Sequence, residues 1–495
     1  MYSLGIDIGS SSIKVSLLDI DRGNCLCSST NPGLEMPISA PQKGWAEQDP
    51  DLWWKYVCEG IRDIASKCDL SKTASIGVTY QMHGLVAVDR NVKPVRDSII
   101  WCDSRAVQIG ADALNSLGYE FCMEHLLNSP GNFTASKLAW VKENEPEVYD
   151  RIWKFMLPGD YIIYRLTGNV ATTETGLSEQ ILWDFKDNCL AFSVADHYGI
   201  GHDLIPDVVP SIGVACRTSR EVEALLGIPA GVPVSYRAGD QPNNAFSLNV
   251  LNPGEIAATG GTSGVVYGVT DTPESDPRSR VNTFLHVNNT VDNPRLGVLL
   301  CINGTGIMNS WIHKNIAPEL TYSEMNQFAE SAPAGSDGLL VLPFGNGAER
   351  VLDNRNVSAR MVGLDLVRHN RNHVMRAAQE GIAFSFRYGI DVMRDMGIRP
   401  NVIRAGKANM FLSHLFRSTL STLCDARIEL FDTDGALGAA RGAALGAGLY
   451  SSSEEAFTNL NKVGEVVPAS EWKTALEDSY QAWKDELENS LNRNR

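Results

Sequence analysis

The 495-residue chain contains no run of apolar residues approaching the ~20 that a membrane crossing needs. Its first residues, MYSLGIDIGS, lack the charged, apolar and small-residue plan of a secretion leader, and Asp7 already breaks their apolar stretch. Cations are in short supply. With 43 Lys+Arg against 59 Asp+Glu the net charge is −16, so the clustered positive surface that a nucleic-acid backbone requires is not expected. An anionic nucleotide remains compatible with this charge, because helix N-termini, backbone N–H groups and Mg²⁺ neutralise it locally. Cysteine is sparse and scattered, ten residues between Cys25 and Cys424, with Cys25-Leu-Cys27 as the one close pair. No second pair or His cluster completes a zinc site, and the expectation is reduced, mostly buried thiols in a cytoplasmic protein.

What is present fits a globular enzyme: 43% hydrophobic and 21% charged residues, in a chain too long for a single core. SLGIDI reads as a strand, GSSS as a turn and IKVSLLD as a second strand. A helix follows in EQDPDLWWKYVCEGIRDIASK, with Asp49 as N-cap, Pro50 just inside it, and Trp53 and Trp54 as core packing. Strand candidates SIGVTY, LVAVD, SIIWCD and KFMLP alternate with helical SKLAWVKEN and GDYIIYRLTG, an α/β pattern. GEIAATGGTSGVVYGV at 254–269 repeats the strand, Gly-rich turn, strand order of residues 3–19. Val374, Ala378, Ile382, Phe386 and Ile390 form a buried stripe on a helix over about 370–396. The two similar openings suggest a duplicated fold of two domains, 1–243 and 244–495.

Several stretches could carry chemistry. Asp7 ends a strand before Gly9 and three serines, a turn able to wrap an anion while the acid holds hydrated Mg²⁺; a plain β-hairpin reads equally well. Gly260, Gly261 and Thr262 open the second half in the same way. The Gly/Ala-rich helix at 433–450 either packs tightly on a sheet or leaves room for a nucleotide base. Gly406, Lys407 and Asn409 follow a strand end suited to a nucleotide. Asp240, after the strand VPVSYRAG, either caps the next helix or presents a carboxylate where open α/β folds place their chemistry.

Together, GIDIGSSSIKVSLLD, QMHG (81–84), WCDSR (101–105), NFTASKLAWV, AGDQPNN, ATGGTSG, LPFGNGAER and DGALGAARGAALGAG resemble the FGGY family of carbohydrate kinases, in family order from about residue 3 to 450. Within it they look most like the branch acting on D-xylulose. The resemblance implies a two-domain actin-like ATPase fold with ribonuclease H-like cores and an interdomain active-site cleft, the sugar on the N-terminal side and the nucleotide on the C-terminal side. It implies transfer of the ATP γ-phosphoryl group to a sugar hydroxyl with Mg²⁺. Asp240 matches the catalytic base and Asp7 the second acid, with the metal near both and bound by Asp7 through water. Gln81, Met82, His83 and Asp103 fall in the sugar-contact segments, His83 as a donor to a hydroxyl. Ser10, Ser11, Lys14, Gly260, Gly261, Thr262, Gly406, Lys407 and Asn409 fall in the nucleotide-gripping ones.

The chain departs from the family wording at Gln241-Pro242 after the base, at Lys407 in AGKAN, and at GNGAER, where Glu349-Arg350 survive and read as an ion pair near the hinge. Kinases of ribulose, fuculose or gluconate, and a non-catalytic sugar or nucleotide sensor, stay open as alternatives. The expected partners are a sugar and ATP, with neither nucleic acid nor membrane, and a homodimer is left open.

Overall fold

The computed structural model describes residues 1–493. Its opening hairpin forms as the alternation predicts. β1 (Tyr2–Ile8) pairs antiparallel with β2 (Ile13–Asp19), which pairs with β3 (Cys25–Asn31). β4 (Thr73–Tyr80) joins β1 in parallel. β5 (Ile212–Arg217) lies antiparallel on β6 (Pro233–Gly239), which is parallel to β4, giving the sheet order β5-β6-β4-β1-β2-β3. Leu4, Ile6 and Ile8 are fully buried on one face of β1 and Ser3 and Gly5 are buried on the other, as expected of a strand covered on both faces.

A second sheet repeats this plan. β7 (Glu255–Gly260) and β8 (Gly264–Thr270) form a hairpin continued antiparallel through β10 (Leu296–Ile302) to β9 (Asn282–Leu285). On the other side of β7, β11 (Val402–Gly406) and β12 (Arg427–Phe431) run parallel, and β13 (Lys462–Val466) closes the edge antiparallel. The duplication expected from the two Gly-rich openings is therefore real: each sheet has a central strand with an antiparallel meander on one side and parallel strands on the other. The molecule is a two-domain α/β fold of the actin-like ATPase type.

The helices follow their sequence signals. Asp49 accepts the Asp51 N–H at the start of α1 (Pro50–Ala65), and Trp53 and Trp54 are buried against the first sheet's core. α3 (Pro158–Thr167) packs on β4 and β6 and α4 (Glu174–Glu179) on β6, while α2 (Thr134–Asn144) lies against the segments at His83 and Ile100. α5 (Asp240–Ser247) leaves β6, α6 (Gly306–Ile316) leaves β10, and α7 spans Arg371–Asp395 with Ala378, Ile382, Phe386 and Ile390 buried. Two expectations are corrected. SIIWCD is a strand only at Ser98–Ile99, because the chain turns at 100–103 to meet the loop at Gly44–Ala46. Only Cys58, Cys122 and Cys424 are buried, whereas Cys25, Cys102, Cys189 and Cys301 are exposed.

α8 (Gly435–Gly446), the Gly/Ala helix, follows β12 of the second sheet yet lies on the first. A Cβ on Gly5 would collide with Ala436 O, and one on Gly77 with Ala439 O. Small residues on both partners thus let helix backbone touch strand backbone, and the open choice between close packing and a base pocket is settled for packing. A methyl at such a site forces backbone to move, which costs about 1–3 kcal/mol. Gly77→Ala is expected to lower the urea midpoint accordingly, whereas Gly33→Ala, with nothing within 4 Å of the new methyl, is expected to leave it unchanged.

Candidate active site

Asp7 stands at the end of β1, opposite Lys14 of β2 in register, and the turn between them closes through Gly9 N–H on Ser12 O at 3.1 Å. Lys14 Nζ reaches Asp434 Oδ2 at 2.7 Å, and Asp434 Oδ1 caps α8 by accepting Leu437 N–H at 2.9 Å. Gly435 is required here, since a Cβ would collide with Asp7 Oδ2. Ser10 Oγ accepts Trp101 Nε1–H at 3.3 Å and its carbonyl accepts Gln48 Nε2–H at 2.7 Å, while Ser11 is exposed.

The second hairpin turn, Gly260–Thr262, is held from below by α6, whose Gly306 and Ile307 N–H groups donate to Gly261 O and Thr262 O at 3.0 and 3.1 Å. Gly260, Gly261 and Thr262 line a cavity of about 550 Å³ with Ser310 and Lys314 of α6 and with Asn409. The chain between the hairpins is continuous. Asn409 Nδ2 lies 3.7 Å from a Cβ placed on Gly261, Thr433 O lies 3.8 Å from one on Gly406, and Asp434 and Gly435 then reach Lys14 and Asp7. Lys407 donates its N–H to Phe431 O, and its side chain is exposed.

Asp240 is the first residue of α5, not its cap, and Gly239 holds the N-cap place without a side-chain bond. Glycine is needed at 239, because a Cβ would come within 2.6 Å of Met82 Cγ and 3.1 Å of Glu179 Oε2. Met82 is therefore the apolar wall beside the Asp240 backbone. Burial pushes the Asp240 carboxyl up to about 6, against the pull of bonds from Gln241. Burial, and behind it Asp240 and then Asp434, push Asp7 up to about 7, against Lys14. Both acids keep part of their surface open. Glu179 is buried among them and held well above the ordinary carboxylate range by that burial. One of its oxygens accepts Tyr80 OH at 2.9 Å and the other has no partner among the described residues.

His83 sits at φ 61, a left-handed conformation uncommon outside glycine. Its Nδ1 is 2.8 Å from Glu179 O, and a carbonyl only accepts, so Nδ1 carries the proton. Burial, reinforced by Lys137, pushes the ring down to about 3 and leaves it neutral. Nε2 therefore carries a lone pair, so at that atom the ring accepts a hydrogen bond rather than donating one as expected. Phe133 and Phe284 flank the ring at centroid distances of 5.0 and 5.4 Å, the second from β9 of the other sheet.

Three other expectations change. Asp103 is fully buried, and both its oxygens are taken by Arg105 and the Ala46 N–H, so it braces the WCDSR corner instead of lining the pocket. Gln81 is buried too, its backbone on Ile8 O and its amide toward Gln48. Glu349 and Arg350 do not pair. Glu349 accepts the Asn303 and Gly304 N–H groups, and Arg350 Nε donates to Ser279 O.

Residues 2–247 match the N-terminal domain, and 256–449 the C-terminal domain, of the FGGY family of carbohydrate kinases. The chain belongs to this family. It is an enzyme that uses ATP to phosphorylate a carbohydrate. It is 28% identical over 465 residues to the xylulose kinase of Bacillus subtilis, covering 92% of this chain and 90% of the relative. The ligand-bound xylulose kinase from Lactobacillus acidophilus superposes with a TM-score of 0.90 at 24% identity, and the gluconate kinase from the same organism with 0.89 at 24%, each over 99% of this chain and 98% of the other. Within this FGGY kinase, Glu179 and Asp434, the partner of Lys14, were not legible as site residues. Asp434 carried one signal, an Asp-Gly start to the small-residue helix; Glu179 carried none.

The raised Asp7 has a consequence for stability. Its folded pKa lies above the ordinary 3.8, so the folded state holds its proton through the range from about 4 to about 7. Stability from this group is complete below that range and is lost as pH rises through about 7. Asp7→Asn, in metal-free buffer, is expected to have a higher urea midpoint than the unsubstituted chain at pH 8, with the difference closing as pH falls to 4.

Proposed function

We propose that this FGGY kinase converts D-xylulose and ATP to D-xylulose 5-phosphate and ADP in the cytoplasm, with residues 1–243 as the sugar-side domain and 244–495 as the nucleotide-side domain. The observation that carries the reading is the meeting of Asp240 and the Met82-His83 turn at one strand-end corner, facing the arc that leads to the Gly260–Thr262 cavity. Similarity to curated relatives named xylulose kinase over more than 90% of the chain supports the substrate.

A sugar hydroxyl attacks poorly while protonated, and phosphoryl transfer asks a protein mainly to align, neutralise and accept one proton. Asp240, ionised above about 6, takes the hydroxyl proton as the new O–P bond forms and the bond from the γ-phosphorus to the bridging oxygen breaks, ADP leaving. Its position at the rigid end of β6 fixes the direction of proton transfer. His83 accepts from a second hydroxyl through Nε2, and Met82 packs against the carbon skeleton. Gly260, Gly261, Thr262 and Asn409 hold the nucleotide in the cavity, while Ser10, Ser11, Lys14 and the open face of Gly406 border the phosphates. The donor set suits Mg²⁺: two partly open carboxylates, one of which raises the pKa of the other, gain from a hard cation bound by oxygen. Asp7, through water, and Asp240 would hold it, and it would supply charge neutralisation at the triphosphate.

ADP release measured over ketoses, aldoses, polyols and sugar acids with Mg-ATP is expected to single out D-xylulose. A preference for gluconate or glycerol overturns the substrate, and no turnover on any of them overturns the reaction. Asp240→Ala is expected to keep the unsubstituted circular dichroism and melting curve and to lose about 10²–10⁴ in kcat.

A further inference from the structure

Lys137 is a fully buried lysine on α2, inside the NFTASKLAWV segment that no catalytic or nucleotide role accounts for. Its Nζ donates to His83 O at 2.7 Å and to Ile100 O at 3.1 Å. Among the described residues no carboxylate lies within ion-pair distance of it; the nearby Asp103 is committed to Arg105. A lysine is almost never buried without a charge partner, because losing water disfavours its charged form. Burial here pushes the ammonium down to about 7. As a filler of the core, a methionine would serve better. What lysine adds is a donor that joins two carbonyls from separate segments.

Those carbonyls belong to the two sugar-side corners. His83 O is at the left-handed residue of the QMHG turn, and Ile100 O opens the WCDSR corner. Thr134 Oγ1, one turn earlier on α2, donates to Gly84 O at 3.4 Å, so the helix grips the same turn at consecutive residues. A left-handed non-glycine residue persists where its surroundings over-determine it. For His83 those surroundings are Glu179 O on the ring and Lys137 on the backbone. Remove the second and the residue can relax toward φ below zero, which swings the imidazole and redirects Nε2.

We propose that Lys137 is a positioning residue for sugar recognition, clamping His83 in its left-handed conformation so that Nε2 faces the substrate hydroxyl. The proposal rests on the reading of His83 as a sugar contact. It requires a loss confined to the sugar and transmitted through His83.

The test is steady-state kinetics of the full chain with Mg-ATP and D-xylulose, alongside ATP hydrolysis without sugar. Lys137→Met is expected to raise the KM for D-xylulose about tenfold or more, with the KM for ATP and sugar-free hydrolysis within about twofold of the unsubstituted enzyme. Lys137→Gln, which keeps an amide donor, is expected to recover most of that loss. In a His83→Ala background, Lys137→Met is expected to add less than about a twofold effect, because residues acting as one unit are not additive. An unchanged sugar KM, equal losses for sugar and ATP, or full additivity with His83→Ala overturns the clamp while leaving the sugar site standing. A sugar KM unmoved by His83→Ala itself overturns the contact reading and the clamp with it. Should Lys137→Met fail to fold, imidazole nitrogen NMR of the unsubstituted chain and of Lys137→Gln decides. One shared Nδ1–H tautomer for His83 is expected in both, and an Nε2–H form in the unsubstituted chain overturns the proposal.

Discussion

The contact on which the site depends is backbone against backbone: α8 lying directly on β1 and β4. Gly5 and Gly77 admit the carbonyls of Ala436 and Ala439, and no other side chain would. The helix comes from the second half of the chain and the strands from the first, so this contact fixes how the two sheets meet. It also fixes the chemistry. Where α8 begins, Gly435 sits against Asp7, Asp434 reaches Lys14, and Gly435 O accepts Asn243 Nδ2–H at 2.9 Å. Asn243 is one turn into the helix that starts at Asp240. A single small-residue helix therefore holds both acids, one on a strand of the first sheet and one on the helix leaving it.

Crowding those acids is costly, and the cost is directional. Asp7, Asp240 and Glu179 all hold their protons more tightly than free carboxylates, chiefly through burial, and Asp7 and Glu179 also through the Asp240 charge. Such a set is poorly arranged for stability alone and well arranged to receive positive charge or a proton. The strong net negative charge does not oppose a triphosphate under these conditions. The hairpin turns offer backbone N–H groups, and Lys14 lies opposite Asp7 in register. Global charge sets what the molecule attracts from a distance; the local arc of groups sets what it binds.

Much of this was legible in the sequence, and the part that was not shares a physical cause. Alternating strands around Gly-rich turns are local patterns, so both hairpins, α1 with its Asp49 cap and the long α7 could be read directly. Asp240 could be read as an acid at a strand end. The Gly/Ala helix could not be resolved, because small residues signal close approach without saying whether a ligand or a strand approaches. Asp103 and Gln81 sit in the right segments but point inward, and their direction is set by Arg105, Ala46 and Gln48. The role of His83 also changed sign. Whether an imidazole donates or accepts depends on its other nitrogen, and the partner that decides it, Glu179 O, is ninety-six residues away. Tautomers, ion pairs and packing partners are long-range facts that no local pattern encodes.

The neutrality of His83 bears on how the two ends of the reaction are kept apart. A ring held near 3 carries no charge at any pH where Asp240 is ionised, so it does not compete for the hydroxyl proton and gives no electrostatic pull to a sugar's carboxylate. The charges of this corner are instead spent one layer back: Arg105 is stacked on Trp45 with its centre 3.9 Å from the ring and paired with Asp103 and Glu47. In the proposed reaction, proton acceptance thus falls to one group, Asp240, and hydroxyl recognition to an uncharged one. A base that must titrate near neutrality works best where the group recognising the hydroxyl does not titrate with it.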